Sequence, residues 1–510
     1  MELHTEETAN SKNPQVTSKN PISSILLSCA QRPRGMTMRI KTVATLGPKS
    51  LAKETMQAMV TCGVRIFRLN FSHGQAEDFA PTVGMIRELE QEMDLPLTIM
   101  GDLSGPKIRI DEVQDSPVNV EKHDRVSLGL PQARDKAPQS PFISLSVPEL
   151  LQDLQEGMEV ALSDGMLRFR VQEVIEPHTL FTLQAENAGL LSSHKGITFP
   201  GKDVPLAAMT DKDRADLEAG LDIGIDCFAL SFVQSEKDIQ DLRLAMQEHG
   251  HTVPIIAKLE RARAVDRLDA ILEQADGIMV ARGDLGLECP LPQLPILQKQ
   301  IIRACRHAQK FCIVATQMLL SMVQNPLPTR AETTDVANAI MDGADCVMLS
   351  EETAVGNYPV EAVCFIQEIA GQAESYLLER MQGPYRPKIE KNPAKYLAYS
   401  ACLLADNTES IALACHSTSG TTARLLSSRR PAQPIYALTP DMGIIRLLNF
   451  YWGVRPKLTG CDLSNHLDRV ETFVQECPLF LPGDRVVITS GQPTPGQQEK
   501  HTNQIKIYTK

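Results

Sequence analysis

Positive charge is in short supply: 51 lysines and arginines face 63 aspartates and glutamates, leaving a net charge of −12. That balance argues against nucleic acid or an anionic membrane as a partner, while leaving room for a local basic pocket that takes a small anion. Long apolar runs are missing too. None approaches the ~20 residues that a membrane-spanning helix needs. The longest near the N-terminus, Ile25-Leu26-Leu27, is too short for the apolar stretch of a signal peptide. Glu2, Glu6 and Glu7 argue against a mitochondrial-type presequence. The twelve cysteines contain no C-x-x-C pair, and Cys227, Cys312, Cys346, Cys402 and Cys415 sit inside apolar runs. The set reads as reduced core thiols of a cytoplasmic protein, with a metal or redox role the lesser alternative.

What is present is enough apolar material, 43% of 510 residues, for two or three domains. Residues 1–36 are rich in Thr, Ser, Asn, Lys and Glu without a hydrophobic period, and are expected to be a mobile extension. From Thr42 onward eight short apolar runs end in polar or small residues: 42–47, 65–72, 97–104, 227–233, 254–260, 277–284, 312–317 and 346–352. Helical patterns such as 239–248, 294–310 and 329–341 fall between them. Eight βα units imply a closed parallel (β/α)8 barrel over 37–109 and 206–384. Its active face is the carboxyl end of the strands, and those ends carry Arg68, Asn70, Ser72, Asp102, Lys258, Glu260, Asp284 and Thr316. The most informative are Ala257-Lys-Leu-Glu260 and Ala281-Arg-Gly-Asp-Leu-Gly286. Two acids and an ammonium at neighbouring strand ends suit phosphoryl chemistry on a divalent cation.

Between the third and fourth runs the rhythm changes. Residues 110–205 alternate apolar and polar at 126–130, 158–162, 167–174 and 179–183, which predicts an inserted small β-barrel domain placed as a lid over the barrel mouth. Residues 385–510 alternate helices with strands at 410–415, 434–438 and 485–489, which predicts a separate C-terminal α/β domain. There the loop Ser417-Thr418-Ser419-Gly420-Thr421 follows a strand and opens a helix, so it is either an anion cradle for a phosphorylated effector or an ordinary helix cap.

The motifs resemble the pyruvate kinase family from about Met38 to the C-terminus. The blocks are Ile40-Lys-Thr-Val-Ala-Thr-Leu-Gly-Pro48, Phe67-Arg-Leu-Asn-Phe-Ser-His-Gly74, Gly105-Pro-Lys-Ile-Arg109, 257–260, 281–286, Ala315-Thr-Gln-Met318 and Pro328-Thr-Arg-Ala-Glu332, in the family's order. The resemblance implies a Mg2+- or Mn2+-dependent transfer of phosphoryl from phosphoenolpyruvate to ADP, giving pyruvate and ATP. It also implies a homotetramer with a regulatory C-terminal domain. Glu260 and Asp284 would hold the metal. Lys258, on the same strand face as Glu260, would stabilise the phosphoryl group in flight, or else serve as a structural ion pair. By resemblance Arg68 binds the substrate phosphate, and the backbone at Gly283 and Asp284 receives its carboxylate. Thr316 would orient the proton delivered to the enolate, or else cap the next helix. Asn70, His73, Arg109 and Lys195 match nucleotide positions, with Asp164 on the lid; His73 can equally be a structural donor.

Three residues depart from the commoner family pattern: Arg261, Arg263 and Glu351, expected at strand ends or in loops where they could alter metal affinity. The monovalent-cation positions correspond to Asn70, Ser72, Asp102 and Leu103, of which Leu103 offers only its carbonyl. Lys107 stands where potassium-dependent members carry glutamate, so a potassium requirement is not expected. The late loop 492–500 lacks the glycine-rich run of many fructose-bisphosphate-responsive members, which leaves AMP or a sugar monophosphate as the effector expected. Two rivals stay open: another phosphoenolpyruvate barrel enzyme, and a catalytically dead metabolite sensor.

Overall fold

The computed structural model describes residues 38–106, 108–163, 165–202, 206–388, 391–460, 465–491 and 502–510. The extension 1–36, Lys107, Asp164 and the late loop 492–500 therefore lie outside the described residues. Eight parallel strands close on themselves: Lys41–Thr45, Ile66–Asn70, Thr98–Asp102, Cys227–Leu230, Ile255–Leu259, Gly277–Ala281, Phe311–Ala315 and Cys346–Leu349. All eight expected runs are strands, each ending one to three residues before its apolar run does, where the chain turns out of the ladder.

Both faces of these strands are apolar, which is why they read as continuous runs and not as alternation. Phe67, Leu69, Ile99, Phe228, Ala257, Leu259, Val280 and Val314 point outward against the helices. Val43, Ile66, Met100, Ala229, Ile256, Met279, Phe311, Ile313 and Met348 fill the interior. Side chains alternate with a period of two. The next inward positions after Ile66, Met100, Ile256 and Met348 are therefore Arg68, Asp102, Lys258 and Ser350. The polar site is the top layer of the barrel's own interior.

The segment between the barrel strands Thr98–Asp102 and Cys227–Leu230 carries a β insert, whose main sheet has six strands in an open order and not the closed small barrel expected, followed by the helix Asp211–Asp222. The insert's main sheet runs Ile197–Thr198, Glu159–Leu162, Leu167–Glu176, Leu180–Ala185, Arg125–Gly129 and Phe142–Ser144, and Val118–Val120 pairs with Gly189–Leu191 as a ribbon. It has its own core around Val126, Leu128, Val160, Phe169, Phe181 and Leu183. Its two connections are tied to each other. Ile197 N–H donates to the Ile108 carbonyl at 3.1 Å, and Ile110 N–H to that of Lys195 at 3.0 Å.

The C-terminal sheet runs Val454–Leu458, Ile435–Thr439, Ala412–His416, Arg485–Ser490 and Gln504–Thr509, parallel except for the last strand. It packs under the barrel, at the amino ends of the strands. Phe450 stacks on Phe311 with ring centroids 4.4 Å apart, and Arg446 bridges Asp226 at 2.9 Å and Glu90 at 3.1 Å. The β insert and the C-terminal sheet thus sit at opposite ends of the barrel.

The expectation that all cysteines are reduced thiols needs one correction. Cys62, at the end of the helix Lys53–Cys62, is joined as a disulfide to Cys364 on the helix Pro359–Arg380, linking the first and last barrel helices. The burial of both in one helix–helix contact brings them together, and a separation of 302 residues hides the pair from the sequence. Cys227, Cys312, Cys346, Cys402 and Cys415 are buried free thiols.

Candidate active site

At the open end of the barrel a cavity of about 640 Å3 is lined by Thr45, Arg68, Asn70, His73, Asp102, Lys258, Glu260, Asp284, Thr316, Ser350 and Glu351, among others. Asp102, 1% exposed, organises its cationic side. It accepts from Arg68 Nε at 2.6 Å and from Lys258 Nζ at 3.0 Å. Burial alone would raise the Asp102 carboxyl, but Lys258 and Arg68 hold it below its ordinary range. Arg68 is steadied further by a bond to Thr45 Oγ1 at 3.1 Å.

Lys258 also donates to Ser231 Oγ at 2.7 Å and lies 3.0 Å from Glu260 Oε1. Burial opposes its charge, yet the carboxylates of Asp102 and Glu260 outweigh burial and push its pKa above the ordinary lysine value. The ammonium is therefore fixed and permanently charged while facing the cavity. The ion pair with Glu260 is real, and it leaves the lysine lining the cavity beside Arg68.

Glu260 behaves oppositely. Burial raises its pKa, Lys258 offsets part of this and Asp284 adds to it, leaving a value of about 7. Two carboxylates compete for one ammonium in a buried corner, a donor set of hard oxygens that a small divalent cation satisfies. Among the described residues no third His, Cys, Asp or Glu joins such a cluster.

Gly283 and Asp284 lie in the first turn of the short helix Arg282–Glu288, not on the strand itself as the run 277–284 suggested. The strand stops at Ala281 and the chain turns there into the helix. Gly283 N–H donates to Thr316 Oγ1 at 2.8 Å, so a substrate carboxylate arriving at this turn meets an amide already engaged. Thr316 is not a helix cap: the next helical turn is capped by Leu319. It sits at φ 68°, a conformation a β-branched residue rarely adopts. Its hydroxyl is held between the Gly283 amide and the Ala315 carbonyl, 2.6 Å away.

Other expected residues fall around this centre. Asn70 and His73 line the cavity, while Arg109 and Lys195 lie on the paired connections at the root of the insert, with Arg109 bridged to Gly196. Asn70 Oδ1 accepts from Ser72 N–H at 3.2 Å, and the Leu103 carbonyl accepts from Ser231 Oγ at 2.6 Å. Glu351 opens the helix Glu351–Ala354, Arg261 caps the helix Ala262–Asp266, and Arg263 lies within it. Sequence reasoning missed Thr45, Ser231 and the Phe232 amide, which donates to Glu260 Oε2 at 2.7 Å. Their only signal was a place at strand ends already known to face the site.

The family patterns described as "Pyruvate kinase, barrel domain" and "Pyruvate kinase, alpha/beta domain" match residues 37–363 and 395–508. The chain belongs to the pyruvate kinase family. A pyruvate kinase of Agrobacterium vitis is 40% identical over 92% of this chain and 96% of its own length. Pyruvate kinase 2 of Synechocystis is 38% identical over 89% of the chain and 76% of its own length. A pyruvate kinase of Thermococcus litoralis is 37% identical over 92% and 98%.

In the C-terminal domain, the loop 417–420 leaves the strand Ala412–His416 where chain order reverses between its neighbours Ile435–Thr439 and Arg485–Ser490, a place where open α/β sheets form a crevice. Gly420 takes φ 73° at the start of the helix Thr421–Ser427. Ser419 and Thr421 hydroxyls lie 2.9 Å apart, and Arg424 Nη2 donates to Thr421 Oγ1 at 3.2 Å. No helix among the described residues is long and apolar enough to cross a membrane.

Proposed function

We propose that this chain transfers the phosphoryl group of phosphoenolpyruvate to ADP, giving pyruvate and ATP, and that the residues gathered at the barrel mouth carry it. The observation that supports this most directly is the fixed, charged Lys258 set among Asp102, Glu260, Arg68 and Asp284 at one cavity. In the reaction the bond from phosphorus to the enol oxygen breaks, a bond from phosphorus to an ADP phosphate oxygen forms, and the enolate carbon takes a proton. Negative charge spreads over the moving group. Arg68 and Lys258 meet it with cations whose positions Asp102 has already set, so no reorganisation is needed at the moment of transfer.

Glu260 and Asp284 would hold Mg2+ or Mn2+, which when bound supplies charge neutralisation for the phosphate oxygens. Thr316, with its hydroxyl oriented by the Gly283 amide and the Ala315 carbonyl, places the water that delivers the proton. Its own pKa is far too high for it to act as the acid. Asn70 and His73, with Arg109, Lys195 and Asp164 from the insert, receive the nucleotide.

In sequence Lys107 stands where potassium-dependent members carry glutamate and would supply the cation that potassium supplies there, so no potassium requirement is expected at the monovalent positions Asn70, Ser72, Asp102 and Leu103. Ser417–Thr421 take the phosphate of AMP or a sugar monophosphate, and the working form is a cytoplasmic homotetramer. The test of the whole reading is pyruvate release from phosphoenolpyruvate, coupled to NADH oxidation by lactate dehydrogenase. Release that depends on both ADP and Mg2+ is expected. Pyruvate formed without ADP points to another phosphoenolpyruvate enzyme, and binding without turnover to a sensor.

A further inference from the structure

Arg261 directly follows Glu260 in the chain, yet its side chain serves two other elements. It lines a crevice between insert and barrel together with Phe232, Glu260, Asp284, Leu287 and Glu288. Its Nη1 is 2.6 Å from Glu288 Oε1, with only 10% and 5% of the two side chains exposed. Its guanidinium carbon lies 5.4 Å from the centre of the Phe232 ring. Phe232 is the residue whose amide holds Glu260. Glu288 is the last residue of the seven-residue helix that carries Asp284, one turn further along.

The Phe232 turn needs holding. Phe232 sits at φ 54°, which a bulky residue rarely adopts. A Cβ on the neighbouring Gly105 would come within 2.7 Å of its ring. The direction of the amide, and with it the aim of Glu260, depends on a strained turn packed against a bare glycine on one side and a guanidinium on another. Glu288 does not complete a metal-binding cluster with Glu260 and Asp284 among the described residues; its charge is engaged by Arg261.

We propose that Arg261 is a positioning residue: through Phe232 and Glu288 it clamps the two elements that carry Glu260 and Asp284, and so fixes the separation and aim of the metal-holding pair. The inference rests on the reading of Glu260 and Asp284 as that pair. Two effects of removing Arg261 oppose each other. Losing a cation near a metal site would tighten binding, and losing the clamp would loosen it. Because Glu288 neutralises the guanidinium at contact distance, the clamp dominates. Loss of an outer partner that orients a metal ligand lowers affinity by about 10–100-fold.

The experiment is a Mn2+ titration of the full, substrate-free protein, with free Mn2+ read from its electron paramagnetic resonance signal. Arg261→Gln is expected to raise the Mn2+ Kd by about 10–100-fold, and to raise the KM for Mg2+ more than it lowers kcat. Arg261→Lys, which keeps a charge for Glu288, is expected to recover part of the loss. A folded Arg261→Gln protein that binds Mn2+ as tightly as wild type, or more tightly, overturns the clamp. Should that variant not fold, Glu288→Gln is measured instead: weaker Mn2+ binding supports the clamp and unchanged binding overturns it. Glu260→Gln and Asp284→Asn separate the two claims. If both bind Mn2+ like wild type, the metal pair itself is misassigned; if both lose it while Arg261→Gln does not, only the clamp fails.

Discussion

Glu260 and Lys258 share one corner and both have raised pKa values, which secures the charge of the ammonium and weakens that of the carboxylate, and the second effect is measurable. With its pKa near 7, Glu260 holds a proton over much of the acidic range when no metal is bound. Divalent metal needs the carboxylate, so below that pH binding must expel the proton. Metal affinity should therefore rise with pH up to about 7 and level off above it. Calorimetry of Mg2+ binding in buffers of different ionisation enthalpy should show release of close to one proton at pH 6 and almost none at pH 9; an equal heat in all buffers at pH 6 would contradict the assignment. Lys107 gives a second residue-scale test. Turnover of the wild type should not respond to added potassium in a sodium-free buffer of constant ionic strength, whereas Lys107→Glu should create a requirement. Potassium stimulation of the wild type would remove the built-in cation from the account. At this scale the sequence was legible where a charged residue ended an apolar run, as at Arg68, Asp102, Lys258 and Glu260. It was silent on partners such as Ser231 and Thr45, which reach the site from other strands and differ in no way from ordinary strand-end hydroxyls.

Among elements, the barrel strands were the clearest because both of their faces are buried and each run is bounded by polar residues. Short strands were not. Val118–Val120 and Gly189–Leu191 are three residues each, too short to show alternation. Val454–Leu458 carries Pro456 between Arg455 and Lys457, tolerable because it is the edge of its sheet. The turn into helix at Arg282 was likewise hidden, since Ile278–Ala281 and the residues after them read as one run. Close packing inside the barrel gives the element-scale prediction. A Cβ at Gly277 would lie 2.2 Å from the Phe311 ring, and that ring is already stacked on Phe450 and edge-on to Tyr451. Gly277→Ala should therefore cost about 1–3 kcal/mol by overpacking, read as a lower Tm at a fixed scan rate. An unchanged Tm would mean that the two strands can part without cost.

For the whole molecule, the cavity at the barrel mouth and the C-terminal sheet lie at opposite ends of one barrel. The loop 417–421 lies in the C-terminal layer, far in the chain from the strand ends that hold Lys258, and the interface between barrel and layer combines the Phe450–Phe311 stack with ion pairs such as Arg446 with Asp226 and Glu90. Coupling between such sites is a free energy carried by differential binding to two states. Replacing Ser419 and Thr421 together by alanine should abolish activation by AMP or glucose 6-phosphate, whichever activates the wild type, with the rate in its absence staying within about twofold as expected for a remote site. Equal activation of both proteins would place the effector elsewhere. The barrel and the C-terminal α/β domain were readable from the change of rhythm along the chain. The disulfide between Cys62 and Cys364 was not, because it joins helices that only barrel closure brings together.

The central claim is that Lys258, and not merely the metal pair beside it, carries phosphoryl transfer. Lys258→Met keeps most of the side-chain volume and removes the charge. Steady-state turnover of phosphoenolpyruvate and ADP at saturating Mg2+ should fall by about 10²–10³-fold or more in kcat, while circular dichroism shows the fold retained and phosphoenolpyruvate binding suffers less. A well-folded Lys258→Met protein with near-normal turnover would contradict the account and leave Lys258 as a structural ion pair with Asp102 and Glu260.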